Sequence, residues 1–492
     1  MKIFMVVKIS LISTVKGRDN KRGIVHGKVN ERGEKTQMQN KPDMAELVKD
    51  FSLDTVPNTG IKCGCGRNHA TGVKEILIEQ GALAKIPGII KKYGGSKVYI
   101  IADRNTYNAA GRVVCWYLEN ESISYSLYVY DTEHLEPDEL AVGKAVMHYG
   151  GDCDFILGVG SGTINDIGKM TAHITNLPYI IAATAPSMDG YASATSSVIR
   201  DGIKVSLNSA CPAVIVADLD VISKAPVKLL QAGIGDMLAK YVSICEWRLS
   251  SLITGEYYCE NIAALVRNAV RKCMNIKDLS DIDSNAVKPL IEGLIITGIA
   301  MSFAGISRPA SGMEHYFSHL WDMRAIEFGM PAGLHGIQCG VATLLCLRIY
   351  QFISGIVPDR EKAMNYVKAF SVEEWNRFLT GFLGRSANTL IELEKKEGKY
   401  DTKSHAKRLE VIINRWDEIL KIISEELPPI KQTEEYMKAL GMPTRPGELG
   451  YSDKDVKDTF IATKDIRDKY IGSRLLWDLG CLDEARNVCL SH

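Results

Sequence analysis

The feature that most constrains the fold is a series of short apolar runs separated by helical stretches. Five runs have the length and composition of buried strands, at 98–103, 125–130, 155–157, 178–184 and 213–218. Because parallel strands need a crossover between them, usually a helix, this alternation predicts a mostly parallel sheet covered on both faces. Ligands bind such sheets at the carboxyl ends of the strands. Asp103, Gly160 and Thr184 are predicted to lie at those ends.

A glycine-rich turn follows the third run and leads into a helical segment. Residues 158–169 have the sequence GVGSGTINDIGK. In this arrangement backbone amides and a helix N-terminus can bind a pyrophosphate. The glycine spacing is not the standard dinucleotide fingerprint, and a strand-to-helix turn also needs glycines for steric reasons. The turn alone is therefore a weak signal, which the surrounding strands strengthen.

The strand pattern fades after about residue 221, and helical segments replace it. Residues 228–247, 256–277, 286–304 and 335–351 are apolar on most faces, as in a helical domain with a buried centre. We therefore predict an α/β domain over 44–225 and a helical domain over 226–492. Residues 1–43 are polar and basic after an apolar start, and we expect a flexible N-terminal extension, with Met44 as a candidate natural start.

Four polar residues in the helical half suggest a metal site. Asp236 stands in GDMLAK, His315 and His319 in EHYFSH, and His335 in LHG. One carboxylate and two imidazoles can hold a divalent ion and leave positions open for a substrate. His315 and His319 share one helix face, and an unpaired Asp236 in an apolar helix would be costly unless a cation relieved it. For any single histidine, a hydrogen-bonded core residue is the alternative.

The composition excludes several classes of protein. The chain has 492 residues, of which 46% are hydrophobic, and this length exceeds what one core normally organises. Basic and acidic residues both total 59, so no overall charge attracts nucleic acid. No run in the sequence is expected to be long and apolar enough to span a bilayer. These properties predict a cytoplasmic enzyme without a transmembrane segment.

The 12 cysteines do not suggest a disulfide scaffold in a chain of this length. Cys339 and most others lie in apolar stretches, where a thiol packs as a small hydrophobe. The exception is Cys63-Gly-Cys65-Gly-Arg-Asn-His69, in which two thiols and an imidazole lie within reach of one zinc ion. Because the spacing is tight and no fourth ligand is evident, the sequence favours a glycine-rich turn.

Together these motifs resemble the bacterial sn-glycerol-1-phosphate dehydrogenases. That family belongs to the superfamily of iron-containing alcohol dehydrogenases, glycerol dehydrogenase and dehydroquinate synthase. The resemblance runs from about residue 61 to beyond 450 and is carried in order by segments 158–169, 184–193, 235–240, 314–319 and 334–336. It implies a dehydroquinate synthase-like fold, in which a Rossmann-like NAD(P)-binding α/β domain precedes an all-α metal-binding domain.

The resemblance also implies roles for individual residues. The cofactor pyrophosphate would contact Gly160, Ser161, Gly162, Thr163 and Ile164; the nicotinamide half would contact Thr184, Ala185, Pro186, Ser187 and Ser193; and the adenosine ribose would contact Asp103. The metal ligands would be Asp236, His315 and His335, and substrate would contact Asp189, Asp236 and His319. His319 joins the three ligands as a catalytic residue, acting as a proton relay or a partner of a substrate hydroxyl. From the residues alone, Asp189 could instead form a turn, and Ser193 could be a helix cap.

The activity implied is a reversible, metal-dependent reduction of dihydroxyacetone phosphate to sn-glycerol 1-phosphate for glycerophospholipid synthesis. The cofactor would be NAD or NADP, the ion zinc or nickel with iron also compatible, and the assembly a homo-oligomer, with a dimer favoured. A glycerol or other small-polyol dehydrogenase would share almost all these residues. A dehydroquinate synthase-like lyase fits less well, because such enzymes usually carry Glu in place of Asp236. The phosphate-binding residues are not evident, and Lys204 is expected to be a solvated lysine.

Overall fold

The computed structural model describes residues 44–48, 51–53, 60–132, 134–280, 282–329 and 333–490. The predicted extension over 1–43 lies outside the described residues.

Ten strands form three sheets within this part of the chain. They are β1 (Ile61–Lys62), β2 (Asn68–His69), β3 (Glu75–Glu79), β4 (Lys97–Asp103), β5 (Ser124–Tyr130), β6 (Phe155–Gly160), β7 (Tyr179–Ala183), β8 (Thr195–Arg200), β9 (Ile203–Asn208) and β10 (Val214–Asp218). Six strands make a wholly parallel sheet in the order β3-β10-β7-β6-β4-β5. The five predicted strands are confirmed. The edge strand β3 and the antiparallel pairs β1-β2 and β8-β9 were not predicted.

The helices fall into two groups. Those associated with the sheet are α1 (Met44–Leu47), α2 (Ile86–Lys92), α3 (Arg104–Thr106), α4 (Arg112–Asn120), α5 (Glu139–His148), α6 (Gly162–Thr175) and α7 (Leu219–Ile222). The rest are α8 (Val227–Thr254), α9 (Glu260–Cys273), α10 (Ser284–Ala304), α11 (Met313–Phe328), α12 (His335–Ser354), α13 (Arg360–Ala369), α14 (Val372–Leu383), α15 (Ala387–Glu397), α16 (Thr402–Asn414), α17 (Trp416–Glu426), α18 (Ile430–Ala439), α19 (Asp453–Ala462), α20 (Gly472–Asp478) and α21 (Leu482–Val488). The predicted α/β segment followed by an all-helical segment is thus confirmed for the described residues.

Alternate residues of the central strands enter two separate cores. In β4, Tyr99 and Ile101 pack on one face of the sheet, and Val98, Ile100 and Ala102 pack on the other. Helix α6 covers the first face, and α2 and α4 cover the second. Side chains of a strand alternate between the two faces of its sheet, so apolar residues at every position require cover on both sides.

Two glycines let α8 approach its neighbours closely. A Cβ atom on Gly233 would lie 1.9 Å from the carbonyl oxygen of Pro186, and one on Gly235 would lie 2.1 Å from that of Gly336. Any larger residue would push α8 away from the loop after β7 and from the start of α12. This contact places Asp236, the next residue of α8, beside both elements.

Two helices differ from the expectation about apolar runs. By length and composition alone, α10 and α12 could cross a bilayer, with mean hydropathies of 1.5 and 1.4 over their most apolar windows. By length and composition, the expectation that no run can span a bilayer is therefore wrong. However, 67% and 83% of those windows are buried within the protein, as in the core helices of a soluble protein.

Candidate active site

A cavity of about 880 Å³ lies at the carboxyl ends of the strands, beside the helical segment. Predicted site residues from both halves of the chain line it: Ser161, Gly162, Thr163, Ser187, Asp189, Ser193, His315, His319 and His335. The residues that follow β6 and β7 form one wall, and residues of α11 and α12 form another. Convergence of such groups on one concave site is typical of an active site.

Asp236 is fully buried, but it is not without a cationic partner. Lys240, one turn later on α8, approaches Asp236 Oδ1 at 2.6 Å and Asp189 Oδ2 at 2.7 Å. Although burial opposes ionisation, Lys240 and His315 hold the pKa of Asp236 well below its usual range. Burial alone would lower the pKa of Lys240, but the neighbouring carboxylates of Asp189 and Asp236 raise it above its usual value. The cost of a buried carboxylate therefore does not by itself require a metal ion.

The Asp189 side chain takes part in this cluster. Its carboxylate pairs with Lys240 and makes no cap bond to the short helix that follows it, so the turn alternative does not describe it. The Asp189 backbone N–H donates to Asp236 Oδ2 at 2.9 Å. The ligand atoms of Asp189, Asp236 and His315 lie within 4.8 Å of one another.

His315 is held by a carboxylate behind it. Its Nδ1–H donates to Glu314 Oε1 at 2.7 Å, and the Gly312 N–H donates to the same oxygen at 2.8 Å. This bond occupies Nδ1 and leaves Nε2 facing Asp236 Oδ1 at 3.5 Å. A carboxylate behind an imidazole is the usual arrangement for a metal-ligating histidine.

His335, the first residue of α12, is oriented in a similar way. The Ser318 hydroxyl donates to Gln338 Oε1 at 2.7 Å, so it must accept from His335 Nδ1–H at 2.8 Å. His335 Nε2 is then free to bind an ion. The rings of His315 and His335 have centroids 5.0 Å apart.

His319 and Cys339 complete the group of side chains. The His319 ring lies 5.7 Å from that of His335, and burial together with Arg467 and His335 lowers its pKa well below the usual value. A neutral imidazole suits a hydrogen bond to a substrate hydroxyl better than proton donation. Cys339 Sγ lies 3.7 Å from His335 Nε2; burial disfavours its thiolate, yet His315 and His335 lower its pKa.

The predicted cofactor residues divide into two sets. Ser161, Gly162, Thr163, Ser187 and Ser193 line the cavity, at or near the amino end of α6, where a phosphate would be favoured. The other predicted positions, outside the lining, are Asp103, Gly160, Ile164, Thr184, Ala185 and Pro186.

Local contacts account for several of these positions. A Cβ atom on Gly160 would lie 2.5 Å from Ile164 Cβ, so this glycine permits close packing of β6 on α6. Asp103 caps α3 by accepting from the Thr106 N–H at 2.8 Å. Ser193 caps no helix N-terminus; its hydroxyl contacts Lys169 Nζ at 3.2 Å and donates to the Thr195 carbonyl.

Four lysine and arginine side chains line the cavity, of which Lys169 is paired with Asp166 at 3.0 Å. Lys204 pairs with Asp322 at 2.5 Å, so it is not the solvated lysine that the sequence suggested. Lys469 Nζ donates to the Ser311 carbonyl at 2.8 Å, and burial together with Arg308 and Arg467 lowers its pKa to about 7. Arg467 reaches Ser206 Oγ at 3.5 Å.

Several side chains of the site were not predicted from the sequence. Helical spacing could have identified Lys240 and Cys339, because each lies four residues after a predicted ligand on the same helix. Glu314 is adjacent to His315. No local signal marks Arg467 or Lys469, since only the tertiary fold brings them to the cavity.

The donor set fits a divalent ion at Asp236, His315 and His335. Both histidines have Nδ1 occupied by a partner, which leaves Nε2 as the donor atom, and one carboxylate oxygen faces His315. Oxygen and imidazole donors suit zinc, nickel and iron alike. The amino end of α6 and the serines beside it fit a dinucleotide.

The chain is similar to known dehydrogenases. Residues 77–226 match the family model described as iron-containing alcohol dehydrogenase. The chain is 34% identical over 295 residues to glycerol-1-phosphate dehydrogenase (NAD(P)+) of Halalkalibacterium halodurans, which covers 59% of this chain and 74% of that protein. The enzyme of the same name from Bacillus licheniformis is 28% identical over 85% of this chain and 93% of its own length.

Among solved structures, a probable glycerol dehydrogenase from Sinorhizobium meliloti superposes with a TM-score of 0.53. The match covers 85% of this chain and 99% of that one at 16% identity, so it shows a shared fold.

Proposed function

The chain belongs to the glycerol-1-phosphate dehydrogenase family, and we propose that it catalyses the reversible NAD(P)H-dependent reduction of dihydroxyacetone phosphate to sn-glycerol 1-phosphate. The observation that carries this proposal is the convergence, on one cavity, of the glycine-rich loop, His315, His335 and a group of cationic side chains, with the buried Asp236 3.5 Å from His315. Each part serves a different portion of the reaction: cofactor, reacting carbonyl and phosphate.

The chemistry follows from the positions of the side chains. The triad of Asp236, His315 and His335 would hold a divalent ion, which would supply Lewis-acid polarisation of a carbonyl oxygen, and a bound reduced nicotinamide would supply the hydride. Glu314 and Ser318 orient the two imidazoles through Nδ1. His319, held neutral by its surroundings, positions a substrate hydroxyl by hydrogen bonding. Asp189, fixed by Lys240, is the second polar contact for substrate.

A phosphorylated substrate is favoured by the cationic wall. Arg467 and Lys469 are the candidate phosphate ligands, because Lys204 is already paired with Asp322. An arginine can bind a phosphate through two parallel N–H bonds, which gives both affinity and orientation. An unphosphorylated polyol would offer no phosphate group to these cations.

Further features of the enzyme belong to the same proposal. The ion is zinc or nickel, and the site residues act as assigned above. Either NAD or NADP serves as cofactor. The enzyme works in the cytoplasm as a homodimer.

The test is a set of initial rates for the metal-loaded enzyme with NADH and with NADPH. Dihydroxyacetone phosphate should be strongly preferred over dihydroxyacetone, and chiral analysis should identify the product as sn-glycerol 1-phosphate. In Arg467→Gln, the preference should fall about 10- to 100-fold, because a charge-assisted bond is worth about 1.5–3 kcal/mol. Dihydroxyacetone turnover serves as the internal control.

Two results would change the assignment. Equal or faster turnover of dihydroxyacetone by the wild-type enzyme would indicate a small-polyol dehydrogenase. Absence of turnover with either ketone, in protein that carries its metal and binds NAD, would instead favour a lyase.

A further inference from the structure

A second cluster of metal-binding side chains lies outside the cavity, at the β1-β2 hairpin. Cys63 follows β1, Cys65 lies in the turn and His69 ends β2. Cys259 is the residue before α9. It lies 190 residues after His69 in the sequence, but its side chain reaches the same cluster. The ligand atoms of these four residues lie within 4.8 Å of one another.

Three of the six distances between ligand atoms are close to those of a tetrahedron around one ion, and the others are at most 4.8 Å. Cys63 Sγ lies 3.6 Å from Cys259 Sγ, and His69 Nε2 lies 3.4 Å from Cys65 Sγ and 3.7 Å from Cys259 Sγ. With zinc–sulfur and zinc–nitrogen bonds of about 2.3 and 2.05 Å, tetrahedral geometry requires about 3.75 Å between sulfurs and about 3.55 Å between sulfur and nitrogen. The cluster therefore needs little rearrangement to enclose an ion.

The histidine is fixed with the correct nitrogen toward the thiols. His69 is fully buried, and its Nδ1–H donates to the Phe303 carbonyl at 2.8 Å. A carbonyl cannot donate, so Nδ1 must carry the proton and Nε2 has its lone pair free. This backbone partner has the same function as the carboxylate or serine behind a catalytic ligand.

Neighbouring donors suit three thiolates. Asn261 Nδ2 donates to Cys63 Sγ at 3.3 Å, and the Tyr257 hydroxyl lies 3.4 Å from Cys65 Sγ. The Arg67 guanidinium stacks 3.4 Å from the Tyr257 ring centroid, which places a positive charge beside the cluster. One divalent ion and three thiolates leave a net negative charge that these groups offset.

We propose that Cys63, Cys65, His69 and Cys259 hold one zinc ion in a closed, four-coordinate structural site. Thiolate ligands select zinc over the harder divalent ions, and four protein ligands leave no position for substrate. The sequence favoured a plain turn here because its fourth ligand is distant along the chain. This site is independent of the reaction proposed for the cavity.

The ion would brace one wall of the cavity. It would tie the hairpin to the start of α9, while His69 and Arg67 hold the carbonyls of Phe303 and Ala304 at the end of α10. Residues 70–72, directly after His69, and 305–307, directly after Ala304, line the cavity. The site therefore stabilises the cavity wall without contacting the reacting atoms.

A disulfide is the principal alternative. The 12 cysteines all lie in the described residues and are free thiols, and the 3.6 Å between Cys63 and Cys259 is far longer than a bond of about 2.05 Å. A disulfide would also leave Cys65 and His69 facing each other with no ion to bind. An intact-mass measurement separates the two, because disulfide formation removes two hydrogens from the chain.

The first test is the zinc content of the full-length protein after zinc loading and removal of loosely bound metal. The wild type should retain about two zinc ions per chain, and Cys259→Ser should retain about one. Cys115→Ala, which removes a single buried thiol from the opposite face of the sheet, should keep both ions. A wild type with about one ion, unchanged in Cys259→Ser, would overturn the proposal, as would a Cys63–Cys259 disulfide.

A second measurement covers the case in which Cys259→Ser does not fold. Zinc-edge X-ray absorption of His335→Ala, whose cavity site is disabled, should show three sulfurs at about 2.3 Å and one nitrogen at about 2.05 Å. Hydrogen exchange of residues 61–72 should remain slow in His335→Ala and become fast in Cys65→Ser. A first shell of oxygen and nitrogen only would contradict the assignment.

Discussion

The two clusters of metal ligands differ in chemistry and in access. The cavity site offers two imidazoles on the wall of an 880 Å³ space and the carboxylate of the buried Asp236 beside His315, whereas the hairpin cluster offers three sulfurs and one imidazole. In the first, three protein ligands leave room for a substrate oxygen; in the second, four ligands complete the shell. An open coordination position, and not metal binding as such, therefore distinguishes the proposed catalytic centre from the proposed structural site.

Both clusters nevertheless use the same device to orient a histidine. His315 and His69 each donate from Nδ1, to the Glu314 carboxylate and the Phe303 carbonyl respectively, and so keep Nε2 for the ion. The carboxylate makes its imidazole a stronger ligand than a neutral carbonyl does. The triad has fewer ligands than the hairpin cluster, and the carboxylate bonded to His315 Nδ1 would strengthen the bond between His315 and the ion.

The largest contrast should appear when either site is emptied. His335→Ala should lower kcat/KM for dihydroxyacetone phosphate by about 10³-fold or more, because Lewis-acid stabilisation is worth several kcal/mol. Its melting temperature should stay close to that of the wild type. Cys65→Ser should do the reverse, with a clear fall in melting temperature and a smaller loss of kcat/KM. Parallel losses of both quantities in both variants would remove the distinction.

A second prediction concerns the residues behind the ligands. Ser318→Ala should weaken metal binding in the cavity about 10- to 100-fold, because His335 loses the partner of its Nδ1. The zinc at the hairpin should be unaffected. Asn261→Ala is the matched variant for the hairpin and should change only that site. Competition with a graded series of chelators measures both affinities.

Titration of Lys469 should give a smaller effect. Burial together with Arg308 and Arg467 lowers the pKa of Lys469 to about 7, so the side chain is charged below that pH and neutral above it. KM for dihydroxyacetone phosphate should therefore rise, by up to about tenfold, as pH increases through 7. Lys469→Arg, which stays charged, should flatten this dependence, while KM for dihydroxyacetone should not follow it. An unchanged profile in Lys469→Arg would exclude this lysine as a phosphate ligand.

The same pKa shift has a defined sign for stability. The unfolded chain holds the Lys469 proton up to about the ordinary value of 10.5, whereas the folded chain releases it near 7. Between these values the unfolded state binds more protons, so this group makes the free energy of unfolding increase with pH.

Local patterns in the sequence predicted the parallel sheet and the glycine-rich turn. A strand such as β6 is apolar at every position, and the glycines that follow it are contiguous in the chain, so neither prediction needed a tertiary partner. Family resemblance supplied the triad, and helical spacing could have added Lys240 and Cys339.

Contacts between distant segments could not be predicted in this way. Cys259 joins Cys63 across 196 residues, and Lys204 joins Asp322 across 118. The sequence suggested that a cation would offset the burial of Asp236, but it did not identify Lys240, which supplies that positive charge. Composition and periodicity describe a single element, whereas a binding site depends on which elements meet.

Anomalous scattering from a crystal of the zinc-loaded protein, recorded on both sides of the zinc edge, would test the central claim most directly. We predict two peaks for each chain: one bound by Asp236, His315 and His335, and one enclosed by Cys63, Cys65, His69 and Cys259. A single peak, or a peak in the cavity coordinated by sulfur alone, would contradict the division between an open catalytic site and a closed structural one.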